Sequence, residues 1–156
     1  MPADFVLDNS VVCGWLLEGQ ATAYSEAIAE RLQAGAVAIA PALLRLEYAN
    51  VLRTACKRGV LIAQQAQEAI AALAQLPLQC DAVAPDAAQI LALALRHDLS
   101  SYDAAYLELA LRRQLPIATQ DAELADAARV AGVGVVEATG GFYPVSTDGW
   151  VKSLKV

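Results

Sequence analysis

A chain of 156 residues that is 57% hydrophobic and only 18% charged has enough apolar side chain for one compact domain with a sizeable core. Its net charge of −6 argues against a protein that coats nucleic acid through a generally basic surface. No uncharged stretch approaches the roughly 20 residues of a membrane helix, and the opening MPADFVLDN lacks the basic flank and apolar run of a signal peptide, so a soluble cytoplasmic protein with no membrane contact is expected.

Short β-like runs alternate with longer helical ones. Phe5 to Asp8 reads as an apolar strand, followed by a helix through Ser10 to Leu17. Tyr24 to Ala34 is amphipathic and Gly35 ends it; Val37 to Ala40 is a second strand, and Pro41 opens a long helix to Lys57. Ile62 to Gln75 is a further helix, Gln79 to Val83 a short strand, and Pro85 starts a helix to about Arg96. Ser100 or Ser101 caps the next, which ends near Gln114. Pro116 to Thr119 is a strand, Ala122 to Ala131 a helix and Val133 to Glu137 a last strand. Such alternation predicts an α/β sandwich around a mainly parallel sheet of about five short strands, with ligands gathering at the strands' carboxyl ends. Residues 1–137 form the expected domain; residues 138–156, rich in Gly and aromatics, read as a C-terminal extension of it.

Much chemistry is excluded by what is missing. Cys13, Cys56 and Cys80 are widely spaced with no CxxC pair and read as small core residues. His97 is the only histidine, which nearly rules out a zinc site, a Ser-His-Asp triad or a Cys-His pair.

Four acids stand at junctions where simple solvation does not account for all of them: Asp8, Glu47, Asp103 and Asp121, in VLDNS, LRLEYAN, SYDAAY and ATQDAEL. Asp8 and Asp121 follow strands, where each would serve equally as a helix cap. Asp103 lies in a first helical turn, favoured there by the helix dipole, and Ser100-x-x-Asp103 resembles a capping box. Glu47 falls in an apolar stripe with Leu43, Leu44 and Val51, a costly position for a carboxylate unless it is paired or protonated. Asn50, one turn on, is a candidate to orient it. Brought together, the four would repel one another without a cation, and oxygen-only ligands suit Mg²⁺ or Mn²⁺. Asn9 and Ser10 stand ready to assist a water or phosphate at the helix N-terminus. Arg45, Arg53, Lys57 and Arg58, with Arg112 and Arg113 as a second pair, are candidate phosphate contacts, though each alone reads as an ordinary solvated residue. Asp126 is a candidate auxiliary acid, with a solvent-facing helix position the simpler reading.

In this order the segments resemble the PIN-domain ribonucleases, especially the VapC-like toxins of bacterial toxin–antitoxin pairs. VLDNSVVCGWLL matches the first motif with Asp8 and Ser10, and PALLRLEYANVL the second with Glu47 and Asn50. HDLSSYDAAYLELA matches the third, the most specific, with Asp103, and LPIATQDAELADAA the fourth with Thr119 and Asp121. The resemblance spans residues 4 to 137. It implies a three-layer PIN-like sandwich and a Mg²⁺- or Mn²⁺-dependent endoribonuclease that leaves 5′-phosphate and 3′-hydroxyl ends. Asp8, Glu47, Asp103 and Asp121 would hold the metal, with Ser10, Asn50 and Thr119 orienting water, carboxylate or phosphate. It further implies RNA as substrate, a homodimer, and silencing by a small antitoxin that wraps an apolar groove. That groove is expected on the early helices, around Trp15, Leu16 and Leu17, with burial the expected fate of Leu16.

Other acid-based folds fit less well. A response-regulator receiver wants adjacent acids after the first strand and a lysine after the last, whereas Asn9 follows Asp8 and the next lysine past the last strand is Lys152. A haloacid-type phosphatase wants an Asp two residues after its nucleophile, where this chain has Ser10. An RNA-processing PIN protein outside a toxin system remains an alternative. So does an inactive RNA- or protein-binding module of the same fold, though it would not need all four acids.

Overall fold

The computed structural model describes residues 3–138. Its sheet contains β1 (Phe5–Leu7), β2 (Ala38–Pro41), β3 (Leu78–Asp81) and β4 (Ile117–Ala118), in the order β3-β2-β1-β4 with every pairing parallel. The helices are α1 (Asn9–Leu16), α2 (Ala23–Gln33), α3 (Leu43–Lys57), α4 (Ala63–Leu73), α5 (Ala87–His97), α6 (Ser101–Arg113) and α7 (Ala122–Val130). Parallel neighbours need crossover connections, and the helices supply them. Every residue of β1 and β4 is buried; since successive strand residues point to opposite faces, both faces of the sheet are covered at these two strands, while β3 at the edge is only partly buried. This is the three-layer α/β sandwich expected from the sequence.

Register is fixed by small and branched apolar pairs. Phe5 lies opposite Ala38 and Val6 opposite Ile39 on one side of β1, while Val6 faces Ile117 and Leu7 faces Ala118 on the other. On β1 and β4 a slip of one residue would exchange the side chains packed on the two helical layers. Helix α6 lies against β1, β2 and β4, with α5 and α7 beside it, and α1 packs on α2 and α3. The α1–α2 approach depends on Gly14: a Cβ there would lie 2.8 Å from Ser25 Oγ and 2.9 Å from Ser25 Cβ. Ser25 is itself fixed by the Thr22 capping box and receives the buried Trp15 indole, whose Nε1 donates to the Ser25 carbonyl at 2.9 Å.

The last expected strand contributes less than a strand. Of Val133 to Glu137, only Val135 forms a bridge, parallel to Ile117. Gly132 takes a positive φ of 81° just before it; the segment keeps two backbone bonds to Ile117, and the Val136 carbonyl also accepts from the Tyr24 hydroxyl at 2.6 Å. Pro41 closes β2, and α3 begins two residues later. The expected extension falls, apart from Ala138, outside the described residues. Trp15 and Leu16 are fully buried, so neither is available to line an antitoxin groove. Among the described residues no helix is long and apolar enough to cross a membrane.

Candidate active site

Asp8 directly follows β1 and Asp121 comes three residues after β4, at the carboxyl edge of adjacent strands. Asp8 occupies the N-cap position of α1, yet its side chain makes no cap hydrogen bond. Its Oδ2 instead accepts from Ser10 Oγ and from Thr119 Oγ1, both at 2.7 Å, and the residue is only 5% exposed. Each of those hydroxyls also accepts from the chain after β4: Ser10 Oγ from Gln120 N at 2.8 Å, Thr119 Oγ1 from Asp121 N at 3.0 Å. The two hydroxyls thus stitch the Asp8 carboxylate to the segment that carries Asp121.

Asp121 does cap a helix. Its Oδ1 accepts from Glu123 N at 2.9 Å and Leu124 N at 3.2 Å, which orients the side chain at the start of α7 and leaves Oδ2 without a hydrogen bond among the described residues. On α6, Asp103 sits in the first turn, where its backbone N–H donates to the N-cap Ser100 Oγ at 3.1 Å. Glu47 is half-buried on α3 and accepts from the fully buried Tyr106 hydroxyl of α6. Tyr106, not Asn50, orients it. Asn50 is exposed and makes no hydrogen bond to Glu47 among the described residues.

The electrostatics join all four acids. Burial pushes the Glu47 carboxyl above its ordinary value against the opposing effect of the Tyr106 hydrogen bond, and the charges of Asp8 and Asp103 push it further. Asp103 is raised by burial, then by the charges of Asp121 and Asp8. The Cys13 thiol is raised by burial and by the Asp8 and Glu47 charges, which sets it at the margin of the same field. Tyr106 is pushed far above the ordinary phenol range, first by burial and then by its bond to Glu47, so it remains a donor. Glu47 and Asp103 thus sit, partly dehydrated, in the field of Asp8, with Asp121 acting on Asp103 as well.

Among the described residues no group of three or more acids, cysteines or histidines is close enough to form a ready ligand cage. Mg²⁺ needs no such cage, because it keeps several waters and binds proteins through one or two carboxylates. The donor set also fits: all four candidate ligands offer oxygen, and Asn9 Oδ1 is a buried acceptor beside Asp8 with no partner among the described residues.

Two supports lay outside the sequence reading. Gln120 Nε2 donates to the Ser10 carbonyl at 3.0 Å while its Oε1 accepts from Thr22 Oγ1 at 2.7 Å, tying the starts of α1 and α2 together. Tyr24 Oη accepts from Thr119 N at 3.3 Å and donates to Val136. Both contacts span long stretches of chain. Of the expected basic residues, Arg45, Arg53, Lys57 and Arg58 are exposed along or just after α3. Arg112 and Arg113 are engaged elsewhere, with Asp81 and, for Arg112, also Glu108. Asp126 is exposed and pairs with Arg129 at 3.2 Å, as a solvent-facing helix residue does.

An open parallel sheet with its polar groups gathered over the carboxyl edge defines an α/β protein whose ligand site lies at that edge. The chain belongs to the PIN domain family, whose model matches residues 5–130. Proteins of this family are generally nucleases that act on RNA and typically use divalent cations. The crystal structure of PAE2754 from Pyrobaculum aerophilum has a similar fold, with a TM-score of 0.56 and 18% identity over 81% of this chain and 86% of that one. No curated protein matches the sequence.

Proposed function

We propose that this protein is a Mg²⁺- or Mn²⁺-dependent endoribonuclease with Asp8, Glu47, Asp103 and Asp121 as its metal-holding, catalytic carboxylates. The observation that carries this reading is the placement of Asp8 and Asp121 at the carboxyl edge of adjacent strands, stitched together through Ser10 and Thr119, with Glu47 and Asp103 raised by burial and by the charges of neighbouring acids. Four acids from four separate segments, two of them shifted upward, are unfavourable for folding alone and call for a cation. A bound Mg²⁺ or Mn²⁺ would supply water activation and stabilisation of the departing oxygen.

The chain's own residues set the geometry. Ser10 and Thr119 hold the Asp8 carboxylate by both donating to its Oδ2, which leaves Oδ1 free of them. Tyr106 holds Glu47 against the repulsion of its neighbours. Asp121 is oriented through its cap bonds to α7. The N-terminus of α1, just beyond Asp8, offers backbone N–H groups to a phosphate.

The four-motif resemblance supports a finer reading: a VapC-like toxin acting in the cytoplasm, a homodimer restrained by a cognate antitoxin. Leu91 and Leu95 on α5 and Leu46 on α3 are large exposed apolar residues of the kind a second protomer would cover. Two assays test the reading: millimolar Mn²⁺ or Mg²⁺ raises the melting temperature of the wild type, and single-stranded RNA is cleaved in a chelator-sensitive way. Failure of both overturns it.

A further inference from the structure

Among the described aromatic residues, Phe5, Trp15 and Tyr106 are fully buried, Tyr24 and Tyr48 are half-buried, and Tyr102 alone is exposed, at 62%. Tyr102 precedes Asp103 in the first turn of α6, and its hydroxyl has no hydrogen bond among the described residues. It lines a cavity of about 670 Å³, within the range of small-ligand sites. The cavity lies over the carboxyl ends of β2 and β3, where Pro41 and Asp81 end those strands, while Asp8 and Asp121 lie over the ends of β1 and β4. Cavity and acids are two stretches of one sheet edge.

The cavity's charges discriminate between occupants. Arg112 is neutralised by Asp81 and Glu108, whereas Arg45, exposed on the wall, forms no ion pair among the described residues. Pro85, Ile90 and Leu109 complete a largely apolar lining. An exposed aromatic face, apolar walls and one unneutralised cation suit a nucleobase with its attached phosphate.

We propose that Tyr102 is a stacking platform for a base next to the scissile phosphate of single-stranded RNA, with Arg45 meeting the adjoining phosphate. This rests on the nuclease reading above and adds to it a subsite that accepts unpaired nucleotides. Tyr102 and Asp103 share the first turn of α6 but project to different sides of it, Tyr102 into the cavity and Asp103 away from it, so a strand crossing this helix start would present a base to Tyr102 while its phosphate lies toward the acids. A π-face accepts any base, so the subsite selects single strands over duplexes more than it selects sequence.

The test compares wild type, Tyr102→Ala, Tyr102→Phe and Tyr102→Trp. Binding of fluorescein-labelled single-stranded RNA is followed by anisotropy in EDTA, and cleavage kinetics are followed with Mn²⁺. Tyr102→Ala is expected to weaken binding and raise KM about tenfold with kcat within about twofold, and Phe or Trp to restore both. One abasic nucleotide beside the cleaved bond should impose the same loss on the wild type and no further loss on Tyr102→Ala. Equal binding by Tyr102→Ala overturns the proposal, as does an abasic penalty that persists in that variant. A Tyr102→Ala protein that changes from dimer to monomer in light scattering, with RNA binding intact, also overturns it and assigns the cavity to a second copy. Failure of the nuclease reading looks different: the wild type cleaves no RNA with either metal, while the anisotropy comparison still reports on Tyr102.

Discussion

The Tyr106 hydroxyl, buried 59 residues away along the chain, donates to the Glu47 carboxylate, so the one acid drawn from an apolar helix face is held from the facing helix. A half-buried carboxylate with two acidic neighbours would otherwise turn toward solvent or take up a proton. The bond favours the charged form, which is the form a cation needs.

Tyr106→Phe is expected to cost about 1–3 kcal/mol of stability through the lost donor to a charged acceptor. The Tyr106 bond lowers the Glu47 pKa, so its loss raises that pKa further. The acid limb of the pH–rate profile should move to higher pH, and activity at pH 6 should suffer more than at pH 8. Unchanged thermal unfolding and an unchanged profile would contradict the role assigned to Tyr106.

Asp103→Asn is expected to abolish metal-dependent cleavage while leaving the metal-free protein as stable as the wild type or up to about 1 kcal/mol more stable. The Asp103 pKa is raised in the folded state, so its contribution is fully present below the unfolded value and is lost as pH rises through the folded one. The gain should therefore be visible in thermal melts at pH 7 and vanish below about pH 4. A clear destabilisation at pH 7 without metal would show that the carboxylate is structural.

How far the sequence carried these assignments depends on the separation of the partners. The strand-end positions of Asp8 and Asp121 follow from alternating patterns along the chain. Ser10 and Thr119, named beside them, do meet at the Asp8 carboxylate. For Glu47 the sequence offered only Asn50, its neighbour one turn on, because a local pattern cannot see a helix that arrives 59 residues later. Gln120 and Tyr24 were invisible for the same reason: their partners lie 110 and 112 residues away. The fifth strand was read from the apolar residues Val133, Val135 and Val136, but a single bridge at Val135 leaves little ladder there.

Thr119→Val removes a donor to Asp8 and the acceptor for the Asp121 N–H in one step. A loss of about 1–3 kcal/mol is expected, with activity down about tenfold or more, and Thr119→Ser should recover most of both. A valine variant with normal activity would show that Asp8 keeps its position without the stitch.

Asp81 provides a control away from the acids. The Arg112 guanidinium beside it, helped by Arg113, holds its carboxyl below the ordinary range. A lowered folded pKa contributes stability above the unfolded value, and this is lost as pH falls through the folded one. Asp81→Asn should thus cost about 1 kcal/mol at pH 7 and progressively less below about pH 4. A gap in melting temperature that stays constant to pH 3 would rule out the ion pair as its origin.

The most direct measurement is cleavage of an end-labelled single-stranded RNA by purified wild type and Asp8→Asn protein, with Mn²⁺, with Mg²⁺ and with EDTA. The expected result is cleavage by the wild type in either metal, leaving 5′-phosphate and 3′-hydroxyl ends, with none in EDTA and none by Asp8→Asn. Cleavage that persists in EDTA, or that survives in Asp8→Asn at the wild-type rate, would contradict a hydrolytic centre built on these four acids.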